Sequence, residues 1–378
     1  MKILLISYSR SSFFGFRFEL LKLLAEQYHE VYVVSSIFSP EEKNLLGSIG
    51  VTPLGLQLSR SCFNPIKNIS ELIRLLFMIR KIKPELTITY FFKANIFGNI
   101  ASFFASVKNR FIFLEGAGYP FTKTSNIAPP FFSKKSAIRY VSIVVYFISC
   151  RLSTRTYFLN SDDQSLFRSL NIIPHRKSFF YGPIGVPLNQ WKYKHRVVKS
   201  YISFIFIGRL LREKGLYEYL IAAETVKKIF PHAVFNVIGN FDKANPSSIS
   251  REFIDYYIDR GVITYHGVVP AIDYLYSAHV LVLPSYREGA SVSVQEAMAS
   301  GIPVITSNAP GCYQLVKHGI SGFICDTYNP DSLALQMLRF CINPELVSSM
   351  GHSARKDAEK RFNRHKINEK FAEDIAGI

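Results

Sequence analysis

The 378-residue chain carries five cysteines and one tryptophan. The cysteines, at 62, 150, 312, 325 and 341, form no Cys-x-x-Cys pair and no zinc spacing. An odd, scattered set fits small core residues in a reducing compartment rather than a disulfide framework. No apolar run approaches the roughly 20 residues a spanning helix needs. The best uncharged stretch, Tyr140–Cys150, ends at Arg151 and has the length of a core or interfacial helix. The first residues, MKILLISYSR, lack a signal-peptide layout. Neither a Gly-x-Gly-x-x-Gly fingerprint nor an Asp-x-Asp triplet occurs. The first absence argues against a dinucleotide site, and the second removes a common carboxylate arrangement for a metal. Charged residues are 19%, against a usual share of about 25%.

Acid is scarce mainly in the first half. Met1–Gly185 holds 23 Lys and Arg against 10 Asp and Glu, and Val186–Ile378 holds 22 against 18. Of the net +17, +13 therefore lies before residue 186. Such a field attracts nucleic acid, anionic lipid headgroups or pyrophosphate compounds.

Short apolar strands alternate with helical periodicity. Strands are expected at Lys2–Ser9, Glu30–Ser35, Glu85–Phe92, Arg110–Glu115 and Thr156–Asn160. Helices are expected at Arg17–Tyr28, Ile66–Ile82, Ile96–Ser106 and Ile138–Leu152. After a Pro- and Gly-rich linker in Tyr181–Lys199 the rhythm restarts. Strands are read at Ile202–Gly208, Ala233–Gly239, Val262–His266, Val280–Pro284 and Pro303–Ser307, and helices near Glu213–Phe230 and Val294–Ser300. Alternation of this kind means βαβ units with a parallel sheet. The fold class is α/β: two Rossmann-like doubly wound domains facing across a cleft, 1–185 and 186–378, the last helix being able to pack back on the first domain. Ligands of such sheets bind at the carboxyl ends of strands.

Three loops at such ends hold chemistry-bearing residues. In PSYREGASVSVQEAMASGIPVI (284–305), Glu288 sits in a loop and Glu296 on the following helix, eight positions on. A strand-to-helix turn there offers backbone N–H groups to a phosphate, and a carboxylate on the helix can reach two ribose hydroxyls. A capping carboxylate with an ordinary surface glutamate fits the spacing equally well. In GRLLREKG (208–215), Arg209 and Lys214 precede a helix, where a cation opposes the dipole unless an anion is bound. In SRSSFFGF (9–16), Gly15 permits close backbone approach. Lys93, Asn95, Glu115 and Gly116 fall at strand ends of the basic half. Lys93 is a candidate phosphate contact, and Glu115 a candidate to orient or deprotonate an acceptor hydroxyl. A surface lysine and a structural carboxylate are the alternatives.

On these residues the chain resembles the GT-B glycosyltransferases of family 4, retaining nucleotide-sugar enzymes with an E-x7-E motif. Glu288 and Glu296 match that motif, and Arg209 and Lys214 match the family's diphosphate-binding cations. Among its members the chain is most similar to the PglA-like and the capsule or O-antigen enzymes, which extend undecaprenyl-diphosphate-linked glycans. The segments SRSCFNP (59–65), FKANIFGN (92–99), LEGAGYPFT (114–122), NSDDQSLF (160–167), GPIGVPLNQW (182–191), GNFDKANPSSI (239–249) and APGCYQLV (309–316) carry that likeness along the whole length. Ala290 stands where a larger residue is frequent.

The resemblance implies transfer of a hexose or N-acetylhexosamine, from UDP-GalNAc, UDP-GlcNAc or UDP-Gal, to a lipid-diphosphate-linked glycan. Arg209, Lys214, Glu288 and Glu115 would be catalytic. Gly15, Gly208, Gly239, Gly289, Ala290, Ser291, Val292 and Glu296 would bind donor, and Lys93, Asn95 and Gly116 the acceptor. No cofactor and no metal are expected, since two cations can meet the leaving diphosphate. The expected location is the cytoplasmic face of the bacterial inner membrane, held peripherally by an anionic surface. Competing readings are a GT-B sugar-nucleotide epimerase, a basic nucleic-acid-binding protein and an inactive scaffold. The second lacks any RNP1 or zinc-finger pattern.

Overall fold

The computed structural model describes residues 1–27, 29–56, 65–122, 134–198, 200–242, 245 and 247–378. Cys62, most of segment 59–65 and part of 239–249 lie outside the described residues. The chain forms two compact units. The first is built from Met1–Pro120, the described part of Pro130–Gly182, and His365–Ile378; the second is built mainly from Pro183–Arg364.

The first unit contains seven strands: β1 (Lys2–Ser7), β2 (Glu30–Ser35), β3 (Val51–Gly55), β4 (Leu86–Tyr90), β5 (Asn109–Leu114), β6 (Arg155–Phe158) and β7 (Ser178–Phe180). Their order is β3-β2-β1-β4-β5-β6-β7, with every pairing parallel. β1 is central, with Ile3 opposite Val31 on one side and Leu86 on the other. Ile3 to Ile6 are fully buried, as a strand covered on both faces requires. The terminal helix segment Arg364–Ala376 lays Phe371 against Phe113, Tyr157 and Tyr181, with ring centroids 5.1, 5.4 and 5.5 Å away. Asp374 accepts from Arg155 at 2.5 Å and from the Tyr157 hydroxyl.

The second unit has β8 (Ser203–Ile207), β9 (Val234–Ile238), β10 (Thr264–Tyr265), β11 (Val280–Leu283), β12 (Val304–Ser307) and β13 (Gly322–Cys325). The order is β10-β9-β8-β11-β12-β13, again parallel throughout. Both passages of the chain at the unit's edge are tied together. Val186 N–H donates to the Phe362 carbonyl at 2.8 Å, and the Arg364 guanidinium donates twice to the Gly185 carbonyl, at 3.2 and 3.0 Å.

Several elements depart from the periodicity. The helix expected at Ile96–Ser106 begins as a π-turn, Ala94–Gly98, and runs on as Asn99–Phe104. The helix Pro40–Ser48 was hidden in a polar stretch but starts on a capping box, Ser39 with Glu42. β3 reads VTPLG, and its proline is tolerated because the strand is the sheet edge.

Candidate active site

Each sheet reverses its strand order at one place. In the second unit the reversal lies between β8 and β11, and the loops leaving their carboxyl ends are Gly208–Gly215 and Pro284–Ser291. A doubly wound sheet opens a crevice at that place. The two loops are stitched together. Tyr286 N–H donates to the Glu213 carbonyl at 2.8 Å. Gly215, at φ 73°, ends the 3-10 turn Arg212–Lys214 and opens the helix Leu216–Ile229; a Cβ there would lie 2.1 Å from the Pro284 carbonyl oxygen. Glycine is required on both counts.

This stitching sets Lys214 beside Glu288. Lys214 Nζ lies 2.6 Å from Oε1 and 2.8 Å from Oε2 of the carboxylate. Both side chains are largely buried. Arg209, at the start of the same loop, is half exposed and pairs with Asp242 at 3.0 Å. Beneath Glu288 lies Cys312, whose thiol is pushed up by burial and by the Glu288 charge. It stays a neutral core thiol.

Gly208 and Gly239 meet backbone to backbone, since a Cβ on Gly239 would lie 1.8 Å from the Gly208 carbonyl oxygen. The helix Val292–Ala299 follows Gly289, Ala290 and Ser291, and it takes no side-chain cap. Its first-turn N–H groups therefore form a positive end suited to an anion. Gln295 fixes this turn: its amide donates to the Ala290 and Ser291 carbonyls at 3.1 and 3.2 Å and accepts from Gly185 N–H at 2.9 Å. Glu296, on the same helix, is half-buried. Burial pushes its carboxyl up to about 7, against the opposing charge of Arg364.

In the first unit the reversal lies between β1 and β4. Gly15 closes the short helix Ser11–Gly15 after β1, with open space where a Cβ would stand. Arg17 follows and is buried; its guanidinium lies 3.6 Å from the centre of the Tyr90 ring and pairs with Glu115. Gly116, at φ 125°, turns the chain directly after Glu115.

Lys93 was expected as a phosphate contact, with a surface lysine as the alternative, and the surface alternative does not hold. It is buried, 2.6 Å from the fully buried Glu71 on the helix Pro65–Ile82, and 5.0 Å from the Tyr8 ring. Asn95 is buried as well, donating to the Phe113 carbonyl at 2.7 Å and accepting from Ser149 at its own carbonyl. Lys93 and Asn95 thus meet protein groups in this structure.

Sequence reasoning missed Arg17, Glu71, Asp242 and Gln295. Lone charged or amide residues on helices and loops carry no spacing signal; only the fold sets them beside Glu115, Lys93, Arg209 and the 289–291 turn.

Two parallel Rossmann-like units, the second with a cation–carboxylate pair and an uncapped helix at its switch point, define the class: an α/β protein of the GT-B type. Residues 189–357 match the family described as glycosyl transferases group 1. The chain is a glycosyltransferase, and that segment is its group 1 domain. It is 25% identical over 370 residues, 95% of this chain and 94% of the relative, to N,N'-diacetylbacillosaminyl-diphospho-undecaprenol alpha-1,3-N-acetylgalactosaminyltransferase of Campylobacter jejuni. It is 24% identical over 313 residues, 79% and 76% of the two chains, to UDP-Gal:alpha-D-GlcNAc-diphosphoundecaprenol alpha-1,3-galactosyltransferase of Escherichia coli. Among solved structures, sucrose-phosphate synthase of Thermosynechococcus elongatus superposes with a TM-score of 0.80 at 17% identity, covering 100% of this chain and 98% of that one.

Proposed function

We propose that the protein transfers a hexose or N-acetylhexosamine from a UDP-sugar to a lipid-diphosphate-linked glycan, with retention of anomeric configuration. The observation that carries this reading is the Lys214–Glu288 pair beside the uncapped helix at the second unit's switch point. The names of the two relatives, one a galactosyltransferase using UDP-Gal and both acting on diphospho-undecaprenol-linked sugars, support the donor and acceptor classes.

The chemistry follows from charge. As the glycosidic bond to the nucleotide lengthens, negative charge grows on the diphosphate. Lys214, Arg209 and the helix end at Ser291–Ser293 stabilise that charge without reorganising. Glu288 sets the ammonium direction and accepts from a sugar hydroxyl. Glu296, as carboxylate, accepts from the two ribose hydroxyls. Gly208, Gly239, Gly289, Ala290 and Val292 let the donor approach backbone, and Gly15 is assigned to donor binding as well.

Glu115, held by Arg17, orients the acceptor hydroxyl, with Gly116 leaving room beside it. Lys93 and Asn95 act by shaping the wall of the acceptor site. No metal is needed in this reading, because two cations and a helix end are available to meet the leaving diphosphate. The enzyme works at the cytoplasmic face of the bacterial inner membrane, in assembly of a surface polysaccharide or glycoprotein glycan; among the described residues no helix is long and apolar enough to cross a membrane.

Radiolabelled transfer from UDP-GalNAc, UDP-GlcNAc and UDP-Gal to a sugar-diphospholipid tests the reading. Transfer from one donor, lost without the lipid diphosphate, supports it. Interconversion of the UDP-sugar without transfer would make the protein an epimerase, and binding of nucleic acid with no transfer would point to the other alternative.

A further inference from the structure

In the first unit three helices adjoin: Pro65–Ile82, Asn99–Phe104 and Lys134–Leu152. Arg80 donates to the Phe104 carbonyl at 3.3 Å, and Asn99 donates to the Ser149 carbonyl at 2.7 Å, so the three present one continuous outer surface.

That surface is inverted for a protein facing water. On Pro65–Ile82 the core stripe is Glu71, Leu75 and Ile79, all fully buried. Ile69, Ile73 and Phe77 lie two positions away from that stripe, about 200° around the helix, and point outward. Phe77 is 64% exposed. On Lys134–Leu152 the contrast is sharper. The helix buries Ser142, Tyr146 and Ser149 and exposes Val141, Val144 and Ile148, a stripe at i, i+3 and i+7. Cys150 is buried too, but this aliphatic stripe faces away from the core. Phe103 and Phe104, between the two, are exposed as well. Single exposed apolar residues need no explanation, but two adjoining stripes with an exposed aromatic pair between them do.

The charges around these stripes have one sign. Among the described residues the exposed charges on the three helices are Lys67, Arg80, Lys81, Arg139 and Arg151. Their one acid, Glu71, is buried against Lys93. Cations also cover exposed rings, Arg151 over Phe147 at 4.4 Å and Arg110 over Phe103 at 5.4 Å. Apolar stripes with a basic, arginine-and-aromatic border match the boundary of an anionic bilayer. A second copy of this face would oppose like charge with like.

We infer that the outer face of these three helices is the docking surface of the protein on an anionic lipid bilayer, with Ile73, Phe77, Val144 and Ile148 inserted among the acyl chains. In its choice of occupant this rests on the lipid-linked acceptor proposed above. It adds a location, and it makes the attachment partly apolar rather than only electrostatic.

The test is flotation of the full chain with vesicles of phosphatidylglycerol and phosphatidylcholine. The variant Phe77→Ser/Val144→Ser/Ile148→Ser should lose about tenfold or more in partition at moderate salt, since each exposed side chain otherwise gains from burial. Its thermal midpoint should not fall, and Phe77→Glu alone serves should the triple variant fail to fold. The control Ile229→Ser/Leu335→Ser/Ile342→Ser, on exposed apolar positions of the second unit, should float like the parent. Equal partition of parent and triple variant overturns the inference. So does a parent dimer that the triple variant abolishes without change in flotation, which would give the face to a second copy. Transfer to a short-chain, water-soluble acceptor should be equal in parent and triple variant. Absence of that transfer in a parent that still floats, with flotation lost in the variant, would overturn the acceptor assignment while leaving the surface in place.

Discussion

Lys214 Nζ is shared by both oxygens of the Glu288 carboxylate, at 2.6 and 2.8 Å, across the two loops that leave the sheet at its reversal. The pair is more than a neutralised surface contact. It holds an ammonium, at fixed direction, next to an uncapped helix end. Lys214→Ala should lower kcat by about 10²–10³-fold, the usual loss for one preorganised donor. The substitution also takes the paired ammonium away from a largely buried carboxylate, so thermal stability should fall with it. Arg209→Ala should lower kcat with little stability change, because its bond to Asp242 is a half-exposed surface pair. Steady-state kinetics with matched thermal melts separates the two, and an unchanged kcat in both variants removes the diphosphate assignment.

The positions of these two cations, and of Glu288 and Glu296, were legible because they are tied to a strand-to-helix turn, where periodicity changes from two to 3.6. The sheet's central strands were legible for the same reason: KILLIS and EVYVVS can only be buried strands. β3 and β7 were not, since edge strands have little to bury, and β7 has only three residues. The burial of Lys93 was invisible because its partner, Glu71, is 22 positions away on a helix whose pattern reads as amphipathic. Arg17 was hidden likewise, paired with a carboxylate on another strand end.

Arg17 and Glu115 form a buried pair, and its two halves should be separable. Arg17→Met leaves the Glu115 carboxylate without its cation and should cost about 3–5 kcal/mol of stability. Arg17→Met/Glu115→Gln should regain most of that loss, because no uncompensated charge remains. Transfer should stay low in the double variant if Glu115 orients the acceptor hydroxyl. Recovery of activity together with stability would reduce Glu115 to a structural carboxylate.

Transfer should persist in excess EDTA with undiminished kcat. Rate measurements after chelation and after adding back Mg²⁺ or Mn²⁺ decide this. A loss that either ion restores would mean that Arg209 and Lys214 do not suffice for the leaving group.

Two glycines should respond in opposite ways to the same methyl group. Gly215→Ala places a Cβ 2.1 Å from the Pro284 carbonyl at a left-handed φ of 73°. It should cost more than the roughly 1–2 kcal/mol of the backbone conformation alone and separate the loops that hold Lys214 and Glu288. Gly15→Ala meets nothing within 4 Å, and a helical alanine should leave stability unchanged or slightly raised. If donor approaches the Gly15 backbone, this second variant should raise KM while melting normally. Unchanged KM would take Gly15 out of the donor site.

With Glu296 on the donor ribose, as proposed, donor binding should depend on pH near neutrality. Burial raises its carboxyl to about 7, above the 4.5 of the same group in an unfolded chain. The folded protein therefore binds more protons than the unfolded chain between those values, and stability falls as pH rises through that window. The parent should lose thermal stability between pH 5 and 8 relative to Glu296→Gln, which has no such group to ionise. Binding has the opposite sign. A carboxylate accepts from two ribose hydroxyls, whereas the protonated acid gives up one acceptor, so affinity for UDP should rise as pH passes about 7. Titration calorimetry with UDP at pH 6 and pH 8 should show several-fold tighter binding at the higher value. Glu296→Gln should bind weakly at both, with a flat profile. A parent profile as flat as the variant's, with no difference in melting between the two proteins across that range, would show that Glu296 is ionised throughout and that its burial is relieved in solution.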